Sequence, residues 1–452
     1  MRFWLTVRRS LRAAYRRARQ FWIVGVACCV LESYGQAIER ILMRGHRVRH
    51  FARTFWRTLA ALDEAPYNPQ PPAKHDFPTY AVIEINNTCN INCLMCNTNM
   101  AERQKGTMKL DLLEKSLREL KANGITLVEA HTIGDPLAHP RLADVLAVFR
   151  RIGMPLGLTT NGLLIERHLD TLVKYSDVSG AICLSIDGAT KTTYERVRAG
   201  GKWEVLLHNL KLACSQLEPC GYRLSTHMVL SRENIHEVGL FIELFRQYVN
   251  PCRMSFGFVN SLSPDTSYFR QMNLFPRDTC PKVPCSLPFT SFWVHVDGRV
   301  SSCCRDYHGE LIVGDVKQDR IRDVWNGEAF QRLRNAHMQH DVSGYRLCAN
   351  CDIVDPRIGE AFTAMMSYLL WQSPNSPAGY YQEWVDRFID TIGAGRPFIA
   401  RFQPVSDAEL FVKARPTISR CDVGRVADSA DAMHHRGVDT FIPKGAGRHP
   451  KC

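Results

Sequence analysis

Cys89-Asn90-Ile91-Asn92-Cys93-Leu94-Met95-Cys96 places three thiols within eight residues, directly after the apolar-rich run 80–85. Three thiols cannot close on one another as a complete set of disulfides, and soft sulfur ligands at this spacing suit iron–sulfur or zinc chemistry. A structural zinc ion asks for four ligands. Three cysteines in one tight loop suit instead a [4Fe–4S] cluster with one iron left free for another ligand. On the residues alone two other readings stay open: a zinc site that borrows a distant fourth ligand, and chance clustering of buried cysteines.

The remaining composition decides the setting of this loop. The chain has 452 residues, 45% hydrophobic and 23% charged, which is ordinary for a globular protein with room for more than one domain. Its seventeen cysteines come in ligand-like groups without a clear signal peptide, so a reducing, cytoplasmic setting is expected. The net charge of +12 is local: residues 1–57 hold thirteen Arg and no Lys or Asp against Glu32 and Glu39, leaving the body near neutral. That leader, assigned to residues 1–64, carries Trp4, Trp22 and an eleven-residue apolar run, 21–31, too short to span a bilayer. It reads as a basic amphipathic helical extension, with peripheral contact to an anionic membrane face or packing on the body as its alternatives. Nucleic-acid binding is disfavoured because the body is not basic. Pro66, Pro69, Pro71 and Pro72 mark a linker at 65–78.

From 79 to 262, short β-rich runs alternate with helix-length amphipathic segments, the pattern of βα units and a parallel sheet. Strands are expected at 80–85, 126–131, 156–159, 181–186, 224–230 and 254–258. Helices are expected at 110–122, 141–152, 166–175, 205–217 and 234–248. Six such units fit an α/β partial (β/α)6 barrel, in which ligand sites gather at the C-terminal strand ends. Cys183, Cys214, Cys220 and Cys252 lie on apolar stretches without ligand spacing and read as small core residues.

The residues Glu84 to Cys96 resemble the cluster loop of the radical S-adenosylmethionine (SAM) superfamily. The resemblance implies that Cys89, Cys93 and Cys96 hold a [4Fe–4S] cluster whose free iron is chelated by SAM. One electron from the cluster then gives a 5′-deoxyadenosyl radical that takes hydrogen from a substrate. Further matches follow at successive strand ends. Gly134-Asp135-Pro136 stands in the place of the family's Gly-Gly-Glu-Pro segment, with Ile133 for the first Gly and Asp135 for Glu, and implies contacts to the SAM amino group. Thr160-Asn161-Gly162 matches a common turn of the family. Ser185-Ile186-Asp187-Gly188, followed by Arg198-Ala199-Gly200, resembles a stretch that implies Ser185 near the SAM ribose or carboxylate and Arg198 as a charge-assisted donor. Met95 stands where an aromatic residue usually lies near adenine.

A second set runs from Cys280 to Cys351: Cys280, Cys285, a strand and turn at 293–298, Cys303-Cys304, Gly314-Asp315, Ile321 with Trp325, and Cys348-Ala349-Asn350-Cys351. This resembles the SPASM module, assigned to 263–356, and implies one auxiliary [4Fe–4S] cluster on Cys285, Cys303, Cys348 and Cys351. Cys280 and Cys304 are substitutes, and zinc is the alternative metal. No Cys lies between Cys351 and Cys421, where full SPASM modules have more. Residues 357–452 read as one helix followed by an irregular tail.

The function expected from this resemblance is a radical SAM oxidoreductase acting on a sugar, cyclitol or lipid-linked metabolite. Its electrons would come from an external donor such as flavodoxin or ferredoxin. Asp306 is the candidate to deprotonate a substrate radical. A peptide-modifying SPASM maturase and a non-enzymatic, zinc-stabilised binding protein are the alternatives.

Overall fold

The computed structural model describes residues 75–393, apart from 97, 99–100, 260–271, 276–283, 352 and 354–355. These all belong to the first of two units, Met1–Ile399. The basic extension, most of the proline-rich linker, Cys280, the residues after 393 and every reading placed on them lie outside the described residues.

Six strands run parallel and neighbour one another in chain order: β1 (Tyr80–Ile83), β2 (Val128–Glu129), β3 (Leu156–Thr160), β4 (Ser179–Ser185), β5 (Arg223–Leu230) and β6 (Met254–Phe258). Parallel neighbours need crossovers, and the amphipathic segments provide them. Helix Leu110–Ala122 buries Leu113, Leu117 and Leu120. Helix Leu142–Ile152 buries Val145, Leu146, Phe149 and Ile152 and stops at Gly153, whose φ of 64° suits a glycine C-cap. β2 is much shorter than the expected 126–131. The expected helix at 205–217 is α-helical over Trp203–Leu212 and widens to a π turn over Ala213–Leu217.

The sheet does not end with these six strands. β7 (Ser291–Val294) lies parallel beside β1, and β8 (Arg299–Ser301) and β9 (Ile312–Asp315) continue it antiparallel, giving the order β6-β5-β4-β3-β2-β1-β7-β8-β9. The cysteine-bearing hairpin is thus hydrogen-bonded to the first barrel strand, a continuity that sequence spacing does not reveal. Its support is a buried cluster in which Arg334 stacks over Trp325 (4.1 Å) and Phe330 (4.7 Å) and donates to the Pro288 and Trp325 carbonyls at 2.8 Å.

The β6 end is covered by the tail. Helix Pro356–Gln372 was expected from its apolar run; helix Ala378–Gly393 was not. Phe362 meets Phe258 at 5.1 Å and Phe388 at 5.2 Å. The Gly239 amide donates to Gln382 Oε1 (3.0 Å), and a Cβ on Gly239 would stand 2.1 Å from the Ala378 carbonyl. Covering an edge strand blocks pairing with another chain. Among the described residues no helix is long and apolar enough to cross a membrane.

Along β5, Leu224, Thr226, Met228 and Leu230 are fully buried, while Ser225, His227 and Val229 on the other face are half-buried. Register aligns that second face across the sheet: Val82 with Glu129, Glu129 with Gly157, Thr159 with Cys183 and Ser225, and Ser185 with His227 and Ser255. Of the cysteines read as core, Cys183 lies on this open face, half-buried, and Cys252 is exposed.

Candidate cofactor sites

The 89–96 loop leaves the C-terminal end of β1 and is clamped from two sides. Asn92 and Leu94 donate their amides to the Ala199 and Val197 carbonyls at 2.8 Å. Before it, Asn86 Nδ2 donates to the carbonyls of Thr88 and Asp135 at 3.0 Å, and the Asp135 amide returns to the Thr88 carbonyl at 2.9 Å. Gly134 makes this approach feasible: its φ is +90°, and a Cβ there would lie 2.7 Å from the Thr88 carbonyl oxygen. The loop sits in an apolar bed of Ile91, Met95, Val197, Val259 and Met272, with Cys93 buried and Cys89 and Cys96 half-buried.

Each thiol faces a polar group. Arg198 reaches Cys93 Sγ at 3.6 Å, Asn161 Nδ2 reaches Cys89 Sγ at 3.8 Å, and Thr98 Oγ1 meets Cys96 Sγ at 2.9 Å. Burial pushes the Cys93 thiol up to about 12 and raises Cys89 as well, with Arg198 opposing both. A thiolate set in such surroundings is favoured by cations, and this donor set fits an iron–sulfur cluster: three sulfurs, an apolar wall, and donors from the end of β3 and from the C-terminus of helix Lys191–Val197.

The other expected residues cluster around this loop, but several are occupied. Asp135 is fully enclosed, accepting from Thr160 Oγ1 (2.9 Å) and from the amides of Asn161 (2.7 Å) and Leu137 (2.9 Å). Its carboxylate shapes the loop, with Pro136 starting the short 3-10 turn behind it. Asn161 also donates to Asn90 Oδ1 (2.8 Å). Asp187 accepts from the Val229 amide (2.7 Å) and pairs with Arg198 Nε at 2.6 Å, so the guanidinium is held while another nitrogen points at Cys93. Ser185, at the end of β4, is half-buried, and its hydroxyl has no hydrogen-bond partner among the described residues.

In the second set, the Cys285, Cys348 and Cys351 thiols neighbour one another, and Cys304 neighbours Cys285. Burial pushes Cys285 up to about 11 and Cys348 up to about 12. Cys303 Sγ accepts from the Arg305 amide (3.4 Å), and the Arg305 side chain donates to Cys351 Sγ (3.5 Å). Four buried or half-buried sulfurs with a guanidinium beside them fit a second iron–sulfur cluster. Asp306 is placed differently from its expected role. Its two oxygens accept the Glu310 (2.7 Å) and Leu311 (2.9 Å) amides, so it closes the 306–311 loop.

Sequence reasoning missed the pair that joins the two sets. Arg103 grips Glu84 through two nitrogens (2.7 and 2.8 Å) and donates to the Tyr307 carbonyl (2.6 Å), while the Val296 amide donates to Glu84 at 3.0 Å. Both side chains are buried. Glu84 was visible beside the cysteines, but Arg103 sits in an aperiodic polar segment that gave no signal. Glu237 was missed too; it accepts from the Ala189 amide (2.6 Å) and from Thr190 and Thr193, ordering the turn after β4. His337 accepts the Cys285 amide at 3.3 Å.

A parallel sheet with a three-cysteine loop after its first strand and a cysteine-bearing hairpin added beside that strand defines an iron–sulfur enzyme class. Residues 83–245 match the radical SAM superfamily, and residues 285–352 match the iron–sulfur cluster-binding SPASM domain. The chain belongs to the radical SAM superfamily and carries a C-terminal SPASM domain; its cofactors are [4Fe–4S] clusters and SAM. It is 34% identical over 91 residues to a Pyrococcus furiosus protein described as a tungsten-containing aldehyde ferredoxin oxidoreductase cofactor-modifying protein, a match over 20% of this chain and 26% of that one. It is 23% identical to a GTP 3′,8-cyclase of Synechocystis, over 37% of this chain and 50% of that one, so it spans half or less of these relatives. It is 20% identical to an S-adenosyl-L-methionine-dependent 2-deoxy-scyllo-inosamine dehydrogenase of Niallia circulans, over 62% of this chain and 95% of that one. Among solved structures, BtrN in complex with AdoMet and 2-DOIA is 19% identical, covering 63% of this chain and 95% of that one, with a TM-score of 0.43.

Proposed function

We propose that this radical SAM enzyme is an oxidoreductase that removes hydrogen from a small hydroxylated substrate, a sugar, cyclitol or lipid-linked metabolite, with electrons from an external flavodoxin- or ferredoxin-type donor. When bound, the cluster and SAM supply a 5′-deoxyadenosyl radical as the hydrogen-abstracting group. This chain's part is holding and shielding. Cys89, Cys93 and Cys96 ligate the first cluster; Ile91, Met95 and Val197 keep water from it. Arg198, fixed by Asp187, stabilises the Cys93 thiolate, and Asn161 lies against Cys89. The free Ser185 hydroxyl and the Gly134–Pro136 turn are the SAM contacts. Cys285, Cys303, Cys348 and Cys351 hold the auxiliary cluster.

The observation that carries this reading is the convergence of Asn161, just after β3, and Arg198, at the end of helix Lys191–Val197, on thiols of the loop after β1. The similarity to an S-adenosyl-L-methionine-dependent 2-deoxy-scyllo-inosamine dehydrogenase along 95% of that relative's length supports the oxidoreductase assignment. Anaerobic reconstitution with iron and sulfide, reduction with dithionite and assay of 5′-deoxyadenosine test it. About eight irons per chain and dithionite-dependent product are expected. Stoichiometric zinc with no product would sink it.

A further inference from the structure

We propose that Glu129, His131 and His227 form the substrate-recognition site of this chain, and that the substrate is a small hydroxylated molecule carrying one amine. This rests on the radical SAM reading and adds a substrate class to it.

Two strands separate β2 from β5, yet His131 lies within reach of the His227 charge, and Glu129 is felt by Tyr80 on β1 and Cys183 on β4. Two glycines keep room for Glu129 and His227. A Cβ on Gly157 would fall 2.4 Å from a Glu129 carboxylate oxygen, and one on Gly257 would fall 3.1 Å from the His227 ring. His227 Nδ1 is fixed by Ser255 Oγ at 2.9 Å. The buried Nδ1 of His131 has no hydrogen-bond partner among the described residues; the Glu129 carboxylate, at 3.8 Å, is too far.

The charges in this face are unequal. Burial pushes His131 down to about 4 and lowers His227, so both rings are neutral near pH 7, and each can donate or accept a hydrogen bond to a hydroxyl. Arg198 is already engaged by Asp187. Glu129 has no Lys or Arg within ion-pair distance among the described residues, and burial raises its carboxyl. A half-buried carboxylate with no Lys or Arg beside it is a seat for a cation, and a substrate ammonium supplies one through a charge-assisted hydrogen bond. A neutral polyol would leave it unpaired, and an acid would be repelled.

Calorimetric titration of the cluster-reconstituted, SAM-loaded full chain tests this with glucosamine and 2-deoxy-scyllo-inosamine as amine probes, glucose as the neutral probe and glucuronate as the acid. At least one amine should bind roughly tenfold or more tighter than glucose, the worth of one hydrogen bond to a charged group. Glu129→Gln should abolish that preference in protein whose iron content and SAM binding show it to be folded. Gly157→Ala, which drives a methyl into the carboxylate, should reduce it. Equal binding of glucose, tighter binding of glucuronate, binding of none of the probes, or an unchanged preference in Glu129→Gln each overturns the proposal. Formation of 5′-deoxyadenosine without any probe is measured alongside. Its absence fails the radical reading itself, whereas its presence with failed titrations fails the substrate class alone.

Discussion

The two cysteine sets are built in opposite ways. The first is eight contiguous residues on one strand end, ordered by groups from elsewhere in the sheet: Arg198, Asn161 and the Gly134–Asp135 turn. The second is scattered from Cys285 to Cys351 and is brought together by its own hairpin, by Arg305 and by His337. The first therefore depends on the parallel sheet for its surroundings, and the second on a module that uses the sheet as an edge to pair with. A cut into either set should then have separable consequences.

The largest effect is expected from Cys93→Ala. It should abolish 5′-deoxyadenosine formation and lower iron from about eight to about four per chain. Cys348→Ala with Cys351→Ala should lower iron by the same amount while SAM binding and SAM cleavage persist. If both variants abolish cleavage, the two sets are not independent and the comparison fails.

Glu84→Gln attacks a buried ion pair that both regions share. Removing one partner of a buried, hydrogen-bonded ion pair costs about 3–5 kcal/mol, measurable by chemical denaturation. The pH dependence follows from the same pair. Burial alone would raise the Glu84 carboxyl, but the Arg103 bonds and charge outweigh it and hold it below its ordinary value. Its stabilisation is therefore present above the unfolded carboxylate range and is lost as pH falls through the folded value. Glu84→Gln should flatten that acid limb, and an unchanged limb would remove Glu84 as its source.

Gly134→Ala should act more locally. Its φ of +90° and the 2.7 Å approach to Thr88 put the cost at about 1–3 kcal/mol. Because Thr88 adjoins Cys89, iron should be lost from the first set while the second keeps its own, as read by the spectrum of the retained cluster.

This division also explains what the sequence made legible. The six parallel strands and the first ligand set were readable because strand periodicity and a contiguous thiol motif are local signals. The pairing of β7 with β1 was not, since four residues such as Ser291–Val294 carry no sign of which edge they will join. Helix Ala378–Gly393 was hidden by a mixed composition; it is helical because Tyr381, Val385 and Phe388 are buried beneath it. The loop-closing bonds of Asp306 were not legible because a carboxylate near cysteines reads alike in sequence whether it faces a substrate or ties down its own loop. Glu129, His131 and His227 went unnoticed because their common face appears only when strand register is known.

The finest contrast concerns hydrogen bonds to sulfur. Cluster potentials rise with donors to the ligand sulfurs, because these stabilise the extra negative charge of the reduced state. Asn161 Nδ2 stands at 3.8 Å from Cys89 Sγ and is shared with Asn90, a weak contact, whereas Arg305 meets Cys351 Sγ at 3.5 Å and carries a full charge. Asn161→Ala should lower the potential of the first cluster slightly and leave the second unmoved. Arg305→Gln should lower the second by more and leave the first in place. Redox titration followed by electron paramagnetic resonance reads both in one sample. A shift of both potentials by either variant would show that the sheet couples the two sets electrostatically, despite their separate construction.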